Sequence, residues 1–97
     1  MSKLPAVYII TNATKTVTYI GVTSDLVKRI AQHREGYFEG FSQKYHCKQL
    51  VYFERYDDME HAIQREKQLK KFRREKKVAL IKEMNPEWND LWEEIIR

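Results

Sequence analysis

An α+β domain, with three strands in one sheet and helices around it, is the fold this sequence predicts. Two short β-branched and aromatic runs, Val7-Tyr8-Ile9-Ile10 and Val17-Thr18-Tyr19-Ile20, stand close together, and a third strand-like run covers 49–56. Between and after them, apolar residues recur at helical spacing. The chain of 97 residues reads as one domain over 1–97, without internal repeat or linker. A composition of 42% apolar, 12% aromatic and 33% charged residues fits a folded, strongly solvated domain and excludes a disordered tail.

Each element has a local cause. The polar stretch 11–16 carries one turn-prone Asn12, so the first two strands read as an antiparallel hairpin. Gly21 is expected to end the second strand. Ser24 or Asp25 offers an N-cap, and Leu26, Val27, Ile30 and Ala31 place a helix over about 25–35. Gly36 and Gly40 bracket Tyr37-Phe38-Glu39, and a polar loop is expected to His46. After the third strand, Asp57 or Asp58 can cap a helix over 59–72. Val78, Ala79, Leu80 and Ile81 mark another over 75–83, which Asn85-Pro86 breaks. Trp88, Leu91, Trp92 and Ile95 indicate a last short helix closing over the core. The expected order is β-β-α-β-α-α-α.

Several function classes fall away. A single cysteine, Cys47, excludes an intrachain disulfide framework and any multi-cysteine zinc site. No apolar run reaches the length of a membrane span, and Met1-Ser2-Lys3-Leu4-Pro5 lacks a signal-peptide hydrophobic region. A soluble, cytoplasmic protein is expected, with no membrane and no obligate protein partner. The net charge of +4 is modest, but its placement is not even. Residues 65–77 hold eight basic and two acidic side chains. Within them, Lys67, Lys70, Lys71, Arg73 and Arg74 are candidate phosphate-backbone contacts. A solvated helix face would have the same composition.

Three features suggest chemistry. Met59, Ala62, Ile63 and Leu69 form an apolar helical stripe with Glu66 near its middle. A carboxylate so directed needs an ion pair, a hydrogen bond or a metal. Arg29 and His33, four apart, share one side of the first helix and could face one phosphate; an exposed Arg and a surface His are the plain alternative. Tyr8 and Tyr19 sit centrally in the hairpin arms, where pairing can bring them together. A phenol accepts protons usefully only beside a cation or metal. His46, His61 and Cys47 show no metal-ligand spacing and read as structural or surface residues.

Ala6-Val7-Tyr8, then ten residues, then Tyr19-Ile20-Gly21 resembles the signature of the GIY-YIG nuclease superfamily. Arg29, His33 and Glu66 follow at fitting separations. Arg65-Glu66-Lys67-Gln68-Leu69-Lys70 and Asn85-Pro86-Glu87-Trp88 are similar to its small stand-alone bacterial branch, the YhbQ-like proteins. The resemblance implies a three-stranded antiparallel sheet flanked by helices, and hydrolysis of phosphodiester bonds in nucleic acid, DNA rather than RNA, with one divalent ion, Mg²⁺ or Mn²⁺. It implies a setting such as DNA repair, on single-stranded, branched or damaged structures.

Carried over residue by residue, Glu66 would hold the metal and Tyr19 would help take the proton from the attacking water. Tyr8 would position that water or share the role. Arg29 would neutralise charge building on the phosphate, and His33 would support the phosphate or relay a proton. Asn85 corresponds to an asparagine near the site in some relatives. Ala6-Val7 replaces the Gly-Ile of the first motif, and Val22 stands where some relatives have a lysine. Tyr37, Phe38 and Phe41 could stack on unpaired bases or simply pack their loop. Two other readings stand beside the nuclease. One is a non-catalytic nucleic-acid-binding module that retains the fold; the other is a protein-interaction domain using a Trp88, Leu91, Trp92 surface.

Overall fold

The computed structural model describes residues 3–37 and 40–97. Its centre is β1 (Ala6–Thr11), whose sequence AVYIIT has no charged side chain, and all six residues are buried. Such a strand can be covered on both faces, so it takes the middle of the sheet. β2 (Thr18–Thr23) and β3 (Gln49–Arg55) pair with it on either side, both antiparallel, in the order β2-β1-β3. Between Ile9 and Ile10 the register with β3 shifts, so that Ile9 faces Tyr52 and Ile10 faces Leu50. Val51 is the extra residue of this bulge.

Alternation along β1 divides the core. Val7 and Ile9 face α3 (Met59–Lys70) and α4 (Arg74–Met84), in a cluster with Ile20, Tyr52, Ala62, Leu69 and Ile81. Ala6, Tyr8 and Ile10 face α1 (Leu26–Arg34) and the short terminal α5 (Trp92–Ile95), in a cluster with Leu26, Ile30, Leu50 and Ile95. The caps left open by sequence are settled by hydrogen bonds. Asp25 accepts from the Lys28 N–H at the start of α1, and Asp58 accepts from the His61 N–H at the start of α3. Gly36 ends α1 at φ +72°, a backbone state that glycine adopts without a Cβ clash.

Two expectations for the elements are corrected. Gly21 does not end β2; the ladder runs on to Thr23, and Gly21 lies opposite Tyr8 within it. The segment before His46 is not all loop, because Phe41–Lys44 forms a short helix, α2, whose Ser42 carbonyl accepts from the Cys47 N–H at 2.8 Å. Four residues are too few to show helical periodicity in sequence. The order is therefore β-β-α-α-β-α-α-α. Phe38 lies outside the described residues. No helix among the described residues is long and apolar enough to cross a membrane.

The Trp88, Leu91, Trp92 surface does not form. Trp88 is buried in the α3/α4 half of the core, whereas Leu91 and Trp92 pack half-buried against the α1/α5 half. Asn85 produces this split. Its amide donates to the carbonyls of Val51 at 3.2 Å and Asn89 at 2.7 Å, and its Oδ1 accepts from the Asn89 N–H at 3.0 Å. These bonds close the turn in which Trp88 takes a left-handed φ of 56°. Asn85 is thus committed to backbone at the β3 bulge. Asn85→Ala should cost about 3 kcal/mol, since it orphans buried backbone groups. Urea unfolding checks this, and a loss below about 1 kcal/mol would count against the role.

Candidate active site

The hairpin register places Tyr8 and Tyr19 on one face of the sheet. Tyr8 pairs with Gly21, Tyr19 pairs with Ile10, and paired residues point to the same side. A Cβ built at Gly21 would overlap the Tyr8 ring and hydroxyl, so the glycine is there for close approach rather than for a turn. The ring of Tyr8 fills that space and is 1% exposed.

A phenol so deeply buried needs a partner for its hydroxyl. His33, one turn from Arg29 on α1, supplies it: Tyr8 Oη and His33 Nε2 are hydrogen-bonded at 2.9 Å. The other ring nitrogen, Nδ1, is 3.3 Å from Ser42 Oγ on α2. Tyr19 meets the same imidazole edge-on, with centroids 5.7 Å apart, and Phe41 stacks on Tyr19 at 6.3 Å. His33 is 5% exposed, so a surface histidine does not describe it. The i, i+4 pair splits: His33 turns into the core, and Arg29 stays half-buried at its edge.

Electrostatics connect the remaining members. Burial pushes the Tyr8 hydroxyl up to about 12. Arg29 opposes this through its charge and a hydrogen bond, whereas Tyr19 and Glu66 push in the same direction as burial. Four of the sequence candidates therefore act on, or are, one buried phenol. Burial, reinforced by the Arg29 charge, pushes the His33 imidazole down to about 4, so the ring is neutral near pH 7. A polar cavity of about 480 Å³ opens beside Arg29, lined also by Lys3, Lys28 and Gln32.

Glu66 comes from the opposite layer. Its helix α3 packs on β1 and β2, and its side chain is 15% exposed. Lys70, one turn on, pairs with the carboxylate at 3.1 Å. Lys70 thus belongs to this acid as much as to any phosphate footprint. Lys67, Lys71, Arg73 and Arg74 are exposed, and Arg74 donates to the Lys15 carbonyl at 3.0 Å. Arg65 lies in the basic stretch but turns the other way. It clamps Glu54 on β3 through Nε and Nη2 at 2.9 and 3.0 Å, in a network that Tyr52 and Tyr56 complete. Burial alone would raise the Glu54 carboxyl, but hydrogen bonds from Arg65, Tyr52 and Tyr56 outweigh it and hold it low. Arg65 thereby ties α3 to one side of the sheet, and the next residue lies about 100° round the helix.

Ser42 went unseen in sequence, and Phe41 was read only as a loop aromatic, because nothing in Phe-Ser-Gln-Lys signals a contact with His33 or Tyr19. Among the described residues, no three His, Cys, Asp or Glu side chains gather as a metal cage. His61 pairs with its capping Asp58, His46 is exposed and Cys47 is buried, as their spacing suggested.

The fold is thus an α+β domain whose central hairpin carries two tyrosines, with an arginine on the helix over one face and a glutamate on the helix over the other. The chain matches the family described as the GIY-YIG catalytic domain over residues 4–79, and it belongs to that family. Its relatives include a UPF0213 protein of Staphylococcus saprophyticus, 38% identical over 65 residues, which span 67% of this chain and 79% of the relative. A UPF0213 protein of Syntrophus aciditrophicus is 37% identical over 82 residues, 84% of this chain and 92% of that one. One from Haloquadratum walsbyi is 35% identical over 65 residues, 67% and 73% of the two chains. The likeness supports the small GIY-YIG branch expected from sequence. No solved structure matches the chain significantly.

Gly21→Ala should destabilise the fold by about 1–3 kcal/mol by forcing the Tyr8 ring aside. In a Tyr8→Val background the same substitution should cost much less, a non-additivity that urea midpoints of the four proteins would measure. Equal costs in both backgrounds would place the strain elsewhere.

The depressed His33 pKa has a defined sign. Between about 6.5 and about 4 the unfolded chain binds a proton that the native ring refuses. The His33 contribution is therefore complete above about 6.5 and is lost as pH falls through that window. His61, raised by its hydrogen bond with Asp58, contributes with the opposite slope. The stability of wild type relative to His33→Gln should thus decline on acidification, because His61 and the carboxylates cancel in the difference. A constant difference between pH 7 and pH 4 would show that His33 is not refused its proton.

Proposed function

We propose that this protein is a divalent-metal-dependent endonuclease that hydrolyses phosphodiester bonds in DNA, directed by nucleic-acid structure rather than by a sequence site. The observation that carries the reading is the arrangement around the hairpin: Tyr8 and Tyr19 share one face and meet the same His33 ring, Arg29 lies one turn before that ring on α1, and Glu66 is 15% exposed on α3, which packs on the same two strands.

The donor set fits a hard cation. With Glu66 as the acid at the site, the ion would be of the kind that keeps most of its waters and takes one or two carboxylates plus substrate phosphate. Mg²⁺ and Mn²⁺ answer that description, and Zn²⁺ in a protein cage does not. Glu66 would hold this ion, which polarises the scissile phosphate and stabilises the leaving oxygen.

The other roles belong to the side chains. Arg29, at the edge of the polar cavity, neutralises charge on the phosphate as the transition state forms. Tyr8, neutral with its hydroxyl raised to about 12 and its ring sealed in the core, suits orientation rather than proton removal. Tyr19, half-buried on the edge strand, is the phenol that helps take the proton from the attacking water. His33 supports the phosphate only indirectly, by holding Tyr8.

Structure-directed recognition rests on the surroundings. Phe41 is 49% exposed while stacked on Tyr19, and Tyr45 and Tyr37 are exposed near it in the chain. Such aromatic faces accept unpaired bases without reading sequence. Lys67, Lys71, Arg73 and Arg74 add phosphate contacts that carry no base information. A non-catalytic nucleic-acid-binding module is the second reading. The high Tyr8 pKa and Val22 in place of a cation favour it, and it predicts salt-sensitive binding without cleavage.

Incubated with labelled branched or single-stranded DNA and Mg²⁺ or Mn²⁺, the purified protein should cut, and chelation should stop it. Glu66→Gln and Arg29→Ala should each lower the rate about 100-fold or more. Cutting unchanged by either variant would assign the activity to another site or another protein. RNA of the same sequence should be cut more slowly.

A further inference from the structure

The hydrogen bonds behind the two tyrosines have a direction that can be deduced. A phenol is a far stronger acid than the N–H of a neutral imidazole or the hydroxyl of a serine, so Tyr8 is the best donor in this buried chain. The Tyr8 hydrogen is then directed to its partner, His33 Nε2, at 2.9 Å. A neutral imidazole that accepts at Nε2 carries its proton on Nδ1. That N–H faces Ser42 Oγ at 3.3 Å, in a buried setting. Both bonds run the same way, from Tyr8 to His33 and from His33 to Ser42. Aligned bonds of this kind polarise and strengthen one another.

We propose that Ser42 is a positioning residue: by accepting from His33 Nδ1–H it holds the imidazole in the one tautomer that accepts the Tyr8 hydrogen, and so fixes which way the phenol's lone pairs face. The inference rests on the nuclease reading for its effect on catalysis, since Tyr8 is the phenol that this chain orients in the candidate site. Its structural content is independent of that reading. With the opposite tautomer, Nε2–H would point at the Tyr8 oxygen, and the Tyr8 hydroxyl hydrogen would lose its acceptor. A buried hydroxyl left in that state is costly. Ser42 itself is 5% exposed and is held by the α2 turn, whose Ser42 carbonyl accepts from Cys47 N–H. α2 therefore does for the site what its four residues could not announce in sequence: it supplies the last acceptor of the chain.

The test reads the ring nitrogens directly. In ¹⁵N-labelled full-length protein near pH 7, His33 Nδ1 should show the chemical shift of a protonated nitrogen and Nε2 that of an unprotonated one. Ser42→Ala should shift both toward the averaged values of a mixed tautomer, and Ser42→Thr, which keeps the hydroxyl, should restore them. Ser42→Ala should also lower kcat about five- to tenfold with KM unchanged, in line with the loss of one orienting hydrogen bond. A protonated Nε2 in the wild type would overturn the proposal without need of any variant. Ring shifts unaltered in a folded Ser42→Ala protein would overturn it as well. Wild-type protein that cuts no DNA would instead defeat the nuclease reading, while the ring shifts still decide the role of Ser42.

Discussion

The hydrogen bond between Tyr8 and His33 is the constraint on which this structure turns. A phenol in the centre strand of a sheet covered on both faces is shut off from bulk solvent, so its hydroxyl needs a partner within the protein. That requirement calls for a polar residue on the inner side of α1, where helical periodicity alone would place an apolar one. It calls for Gly21 on the facing strand, because the ring occupies the volume of a Cβ there. It also calls for α2, whose Ser42 completes the imidazole. Three features that look unrelated along the chain have one cause.

The same burial divides the chemistry between the two phenols. Tyr8 gives up solvent contact and is held neutral, which makes it a rigid member of the core that ends in a polar atom. Tyr19 lies on an edge strand, half-buried, with one side on His33 and the other on Phe41. Arg29 and Glu66 approach from opposite layers, α1 on one face and α3 on the other. Their partners explain how each is held. Arg29 is engaged with Tyr8, while Glu66 is paired with Lys70 on a helix that Arg65 ties to Glu54. Neighbouring residues of one basic stretch thus do different work: Arg65 anchors, Lys70 compensates, and Lys67 and Lys71 remain on the surface.

Much of the fold was legible because its signals are local. Val7-Tyr8-Ile9-Ile10 was readable as a strand from its β-branched and aromatic run, and the two cap positions were narrowed to Ser24 or Asp25 and to Asp57 or Asp58 by side chains placed before apolar runs. The inward direction of Glu66 was readable from the helical stripe, since 3.6-residue periodicity assigns a face without knowing the neighbour. The partner was not readable. An arginine or a tyrosine answered the same need as Lys70, and only packing chose among them. Gly21 misled for a related reason. Glycine ends strands and also admits close approach within them, and the difference lies in a residue thirteen positions earlier. Asn85 was read only as the counterpart of an asparagine in some relatives, and its bonds to Val51 and Asn89 depend on a bulge that sequence does not display.

By itself, then, the sequence determined the strands and most helices, the spacing of Tyr8, Tyr19, Arg29, His33 and Glu66, and membership of the GIY-YIG family. These follow from periodicity, capping and residue order, which are properties of the chain taken a few residues at a time. Only the tertiary structure decided that His33 faces inward, that Ser42 stands behind it, and that Trp88 and Trp92 lie in different halves of the core. Those outcomes depend on which buried polar atoms find each other across the sheet. Hydrogen-bond satisfaction in a core is a property of all the layers together, so no single segment carries it.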